Sequence, residues 1–220
     1  MVIVMDAPKK IGFDLNQIAE AFGLERVHNQ PELAEWLSAQ YELNTMETEL
    51  FESIYAELQE DGDYWNEEEL KIQFIGLAFR IAGTTVKNKI KVFYERALSA
   101  RVNGYELAVI SDCLVATPRP FHAPRNPYFF LQEFKKKRGD KKDPEAQMLT
   151  AMLIAQELNQ DGLPLYGGFL FGSNWQFATL VGQKYCNSRQ FDATNRDDLL
   201  QIIFVLRRLR ELILNRVAQS

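Results

Sequence analysis

The chain has 220 residues, 46% of them hydrophobic and 25% charged, with 15 Phe, and this excludes a disordered chain and two large domains. Its apolar N-terminal run stops at Met5 without a basic flank, and no stretch approaches the ~20 residues of a membrane helix, so the expectation is a cytoplasmic protein without membrane association. The net charge of -5 conceals an asymmetry: residues 1 to 68 hold 16 acids against 3 bases and residues 69 to 220 hold 14 against 22, so overall acidity does not exclude a polyanionic partner.

Apolar residues at three-to-four spacing predict helices over Asn16 to Phe22, Glu32 to Tyr41 and Met46 to Gln59. Asp61-Gly62-Asp63 breaks that pattern. Asn66 then stands three residues before Glu69, a capping box for a helix that carries Leu70, Phe74, Leu77 and Ile81 inward and ends at Gly83. From Val86 onward β-branched and aromatic residues dominate, and Asn103-Gly104 marks the turn of a hairpin between Phe93 to Val102 and Tyr105 to Thr117. Four prolines between Pro118 and Pro127 predict a rigid loop, followed by a strand from Tyr128 to Lys135. Asp143-Pro144-Glu145 opens a helix to about Asn159. Two strands, Leu165 to Phe171 and Trp175 to Val181, precede a long amphipathic helix from Asp197 to Val217.

The chemistry centres on two of these strands. In Tyr128 to Lys135 a period of two puts Glu133 and Lys135 on one face and Phe134 on the other, and the strand is apolar enough to be central. A carboxylate and an ammonium buried there need compensation. The strand before it supplies Asp112, the lone acid in an apolar run, and pairing of the two strands sets Asp112 beside Glu133. Two carboxylates and the backbone carbonyl of Phe134 form an oxygen donor set for a hard cation, Mg²⁺ or Mn²⁺. Such a cation activates water against a phosphodiester, with Lys135 orienting the water or neutralising the developing charge.

The element order resembles the αβββαβ core of the PD-(D/E)XK, or restriction-endonuclease-like, nucleases, and Asp112 followed by Glu133-Phe134-Lys135 resembles their D, spacer, E-x-K signature, with Ser111 in place of the proline. Asn66-Glu67-Glu68-Glu69-Leu70-Lys71 with Phe74-Ile75 is similar to a helix of type I restriction-enzyme nuclease domains, and this implies a metal-facing role for Glu67. First-turn acids also favour a helix dipole, which accounts for Glu67 without any site. The resemblance extends to Gln147, a glutamine that touches the site in many relatives, although Ala151 stands where the fuller motif has tyrosine. It implies an α/β three-layer core with a central mixed sheet, an acidic helical extension over residues 1 to 63, and a nuclease-like domain over 64 to 220. It also implies a nucleic-acid substrate, DNA foremost; the densest basic run, with Lys136, Lys137, Arg138, Lys141 and Lys142, is read from its charge as a candidate phosphate contact or as a solvated charged loop.

Other chemistries find no support in the spacing. His28 and His122 stand in no zinc-ligand pattern, the Gly167 to Ser173 glycines lack the Lys of a phosphate loop, and the two cysteines, Cys113 and Cys186, read as free thiols. A second E-x-K, Glu69-Leu70-Lys71, falls on a helix, where its two charges do not share a face. The competing function is a non-catalytic nuclease-fold interaction protein that docks through the acidic helices or the C-terminal one. The apolar stripe from Leu199 to Val217 suits a homodimer, and a larger restriction or repair complex is the other assembly considered.

Overall fold

Local capping rules set most element ends in the computed structural model, which describes residues 9–121, 123–135 and 143–219. Helix α1 (Leu15–Phe22) starts on the Asp14 side chain, which accepts from the Gln17 N–H, and stops at Gly23, whose φ of 63° is left-handed. After a two-residue strand β1 (Glu25–Arg26) come α2 (Pro31–Leu37) and α3 (Thr45–Glu60), the latter closed at its start by the reciprocal box of Asn44 and Glu47. The expected box of Asn66 and Glu69 opens α4 (Glu67–Glu69), which runs into a π-helical segment (Leu70–Ile75) and α5 (Gly76–Ala82). Three strands follow: β2 (Lys91–Val102), β3 (Tyr105–Pro118) and β4 (Pro124–Lys135). Next come α6 (Pro144–Asn159), capped by Asp143, then β5 (Leu165–Phe171), β6 (Asn174–Val181), β7 (Lys184–Asn187), β8 (Phe191–Asp192) and α7 (Arg196–Gln219).

The strands form one mixed sheet in the order β1-β7-β6-β5-β4-β3-β2, with β8 pairing β6 off that path. β4 and β5 are parallel and joined through α6, whereas β2, β3 and β4 pair antiparallel. Helices cover both faces, so the architecture has three layers. On one face Trp36, Phe74, Phe79 and Leu206 of α2, the π-helical segment, α5 and α7 pack on Phe130, Trp175 and Phe177. On the other, Met148, Met152 and Ile18 of α6 and α1 pack on Leu114, Leu131 and Leu165. α6 lies so close to β5 that a Cβ at Gly167 would stand 2.7 Å from Met148 Sδ. Every residue of α6 from Ala146 to Ala155 is buried, as a helix shut between sheet and α1 should be.

Three features differ from expectation. Pro124 and Pro127 belong to β4, not to a loop, because β3 and β4 stay paired to Pro118↔Pro124 past a register irregularity near Ala116. Prolines are tolerated there, at a strand's first residues and beside irregular pairing. The helix expected to Tyr41 ends at Leu37, and β1, β7 and β8 are too short to show periodicity.

The C-terminal stripe is spent inside the chain: Leu199, Ile203, Leu206, Leu209 and Ile213 are all buried. The charge asymmetry is partly spent as well. Arginines of α7 face acids of α2 and α3, with Arg208 and Glu35 at 2.7 Å, Arg207 and Glu47 at 2.8 Å, and Arg196 and Glu52 at 2.5 Å.

Candidate functional site

The hairpin turn sets the geometry of the site. Asn103 and Gly104 both take positive φ, 48° and 82°, the two-residue turn that matches strand twist, and it pairs Val102 with Tyr105. Counting back from that pair places Glu95 opposite Asp112. The next ladder pairs Cys113 with Gln132, so Asp112 lies alongside Glu133.

Backbone and side chains interlock across this step. The Phe134 N–H donates to Asp112 Oδ2 at 3.0 Å, and the Asp112 N–H reaches Glu133 Oε1 at 3.4 Å. The Lys135 ammonium donates to the Phe134 carbonyl at 3.0 Å and stands 3.5 Å from Asp112 Oδ2 and 3.4 Å from Glu67 Oε1. Asp112, Glu133, Lys135 and Glu67 thus come together at one end of β4, under the start of the helix opened by Asn66. Gln147, in the first turns of α6, lines the same cavity of about 650 Å³ with Asp112, Lys135 and Glu67. The run Lys136, Lys137, Arg138, Lys141 and Lys142 lies outside the described residues, as does His122.

Burial and crowding govern the charge states. Burial, then the adjacent Asp112 carboxylate, pushes the Glu133 pKa up to about 9, so its carboxyl holds a proton at neutral pH. Lys135 moves the opposite way. Burial pulls its pKa down, but Asp112, Glu67 and Glu133 together outweigh burial and raise it, so the ammonium stays charged. Burial, with Asp112 and Glu133, also raises the Cys113 thiol well above its ordinary value, which leaves it inert as a nucleophile.

Two polar atoms at the site are left over. Among the described residues, Glu133 Oε2 and Gln147 Oε1 are buried without a hydrogen-bond partner, a state that proteins rarely tolerate without use. Together with Asp112 and the Phe134 carbonyl, Glu133 makes an oxygen-only donor set, the chemistry that Mg²⁺ or Mn²⁺ accepts. Among the described residues no group of three or more His, Cys, Asp or Glu side chains is arranged to hold a metal ion, so this set has two carboxylates and depends on a peptide carbonyl.

Glu95 escaped the motif reading, and Lys71 entered it only as the end of a helical motif with no place at the site. Lys71 Nζ sits 2.7 Å from both Glu68 and Glu95 and 5.6 Å from the centre of the Phe134 ring. Glu95 lines the cavity and holds φ at 51°, a left-handed conformation uncommon outside glycine and asparagine. The turn register was the signal that could have found it. Lys71, by contrast, is brought in by the π-helical segment, which sequence spacing does not show.

No family model matches the chain. No curated protein matches it either. Among solved structures it is similar to one described as "cryoEM structure DrdV-DNA complex", with a TM-score of 0.44 and 16% identity over 72% of this chain. The chain spans 13% of the length of that one.

Proposed function

We propose that this chain is a metal-dependent phosphodiesterase of PD-(D/E)XK type acting on nucleic acid, DNA foremost, within a restriction or DNA-processing system. The observation that carries the reading is the convergence of Asp112, midway along β3, with Glu133, the Phe134 carbonyl and Lys135 at the end of β4, where Glu133 Oε2 is buried and has no hydrogen-bond partner among the described residues. Asp112, Glu133 and the Phe134 carbonyl are the residues that would hold Mg²⁺ or Mn²⁺. When bound, such a cation polarises a phosphoryl oxygen and lowers the pKa of water.

The chain's own groups have separate tasks. Lys135 stays protonated and neutralises charge that develops on the phosphoryl oxygens. Glu67 holds the Lys135 ammonium from the helix side, and Gln147 Oε1 offers an acceptor for a water or a nucleotide hydroxyl in the cavity. Glu133 gives up its proton before it can serve as a ligand. The test is nicking of supercoiled plasmid in Mg²⁺ or Mn²⁺ by the parent beside Glu133→Ala and Lys135→Ala. Loss of nicking in both variants supports the proposal, and nicking that survives in both rejects it.

A second reading has one observation in its favour. The Lys135 ammonium already bridges Asp112, Glu67 and the Phe134 carbonyl, a self-neutralised arrangement that suits a non-catalytic protein keeping the nuclease fold. A parent chain that binds DNA but never nicks it, in any divalent metal, decides for that reading.

A further inference from the structure

A second cavity, of about 780 Å³, lies where the turn before β2 meets the loop between β3 and β4. Lys87, Lys91, Arg119 and Arg125 line it together with Thr85 and Asn88, and among the described residues no acid does. The two segments that build it are unusual in charge. Residues 70 to 94 contain five Lys or Arg and residues 113 to 132 contain two, and neither segment has a single Asp or Glu. Lys87, Arg119 and Arg125 are exposed and form no ion pair with any described residue, in contrast to the α7 arginines held by acids of α2 and α3. Asn88 takes φ of 62°, and the turn bonds from the Val86 N–H to Ile90 and from the Lys89 N–H to Val86 hold Lys87 and Lys89 on a tight projection. Beside it, Phe121 at the tip of the β3–β4 loop is 97% exposed. A large aromatic ring left in water next to unpaired cations fits a partner that offers both phosphates and flat bases.

We propose that this cavity is a phosphate-backbone clamp for nucleic acid, separate from the Asp112 site and seating the strand at a distance from it. The proposal rests on the nucleic-acid substrate proposed above. Six residue steps along β3 lead from Asp112 to Pro118 at the cavity rim, about 20 Å of extended chain. A duplex covers that distance in about six base pairs at ~3.4 Å each. Lys87, Arg119 and Arg125 contact phosphates there, and Phe121 stacks on a base where the strand is open.

Binding of a fluorescent duplex and of the matching single strand, followed by anisotropy across a salt series in Ca²⁺ or chelator, tests this apart from cleavage. The variant is Lys87→Gln with Arg119→Gln and Arg125→Gln, all exposed positions, with its circular dichroism compared with that of the parent. Arg196→Gln with Arg208→Gln is the control for lost charge elsewhere. Three lost contacts flatten the slope of log K against log salt by about 2.7 for duplex, and at ~0.1 M salt weaken binding roughly 100- to 1000-fold. The control pair leaves the slope unchanged. If the parent binds and the triple variant binds equally with the same slope, the clamp is refuted, while the nuclease reading stands or falls on plasmid nicking. Displacement of the duplex by poly-glutamate at equal charge concentration refutes it in favour of an acidic protein partner. Should Phe121→Ala weaken the single strand more than the duplex, the stacking role is supported, and equal effects on both remove it.

Discussion

Replacing Glu133 by Gln should make the protein more stable, and by an amount that depends on pH. In the fold the carboxyl titrates near 9, against an ordinary 4.5, because burial and Asp112 disfavour its charge. Its folded pKa is raised, so the stability it permits is complete below about pH 4.5 and is lost as pH rises through about 9. At pH 7 the unfolded carboxylate is ionised and must take up a proton to fold, which costs roughly 3 kcal/mol. Gln is neutral in both states and avoids that cost. Its second amide hydrogen is then buried without an acceptor, so ~3 kcal/mol is an upper bound. For a chain of this size the gain corresponds to a rise in Tm of about 6 to 12 °C at neutral pH. The difference should shrink towards nothing near pH 4.5 and grow towards roughly 6 kcal/mol at pH 9. Urea denaturation of both proteins in chelator across that range measures it, and the same comparison in an Asp112→Asn background should show a weaker pH dependence. A stability difference that stays flat from about pH 5 to about pH 9 would refute the reasoning, because Glu133 would then be ionised in the fold.

Two further outcomes follow from the same geometry. Mn²⁺ binding at neutral pH should release close to one proton and tighten up to tenfold per pH unit below about 9, as calorimetry in buffers of differing ionisation enthalpy reports. A binding enthalpy independent of buffer contradicts it. Trp36→Ala should cost about 3 to 5 kcal/mol in urea denaturation, since the indole is fully buried, donates to the Val205 carbonyl at 2.8 Å and packs edge-on against Tyr166 and Phe177. If α2 were a loosely attached part of an extension, the loss would stay under about 1 kcal/mol.

How far the residues alone reach differs between the backbone and the site. The helices at Asn66 and Asp143 declare themselves through capping side chains, and the hairpin through Asn103-Gly104, because these signals act within a few residues. The alternation of Glu133 and Lys135 around Phe134 is local in the same way, and with Asp112 it outlined the centre of the candidate site. β1, β7 and β8 were invisible, since two to four residues show no period and exist only through their neighbours in the sheet. The pairing of α7 arginines with α2 and α3 acids was equally hidden, for the partners stand about 145 to 175 positions apart, and no local rule relates positions so distant.

From the sequence by itself came the α/β element order, the caps that start its helices and the three charged side chains on neighbouring strands. Those follow from steric and hydrogen-bonding preferences that reach no further than one turn or one strand. Only the tertiary structure decided that burial and Asp112 push the Glu133 carboxyl up, that Glu95 lines the cavity with Lys71 paired to it, and which cations lack an acid partner among the described residues. Charge state and free charge depend on what packs around a group from every side: Glu67, Asp112 and Gln147, from three different elements, gather around the Glu133–Lys135 strand end, and α7 from the far end of the chain neutralises the acids of α2 and α3.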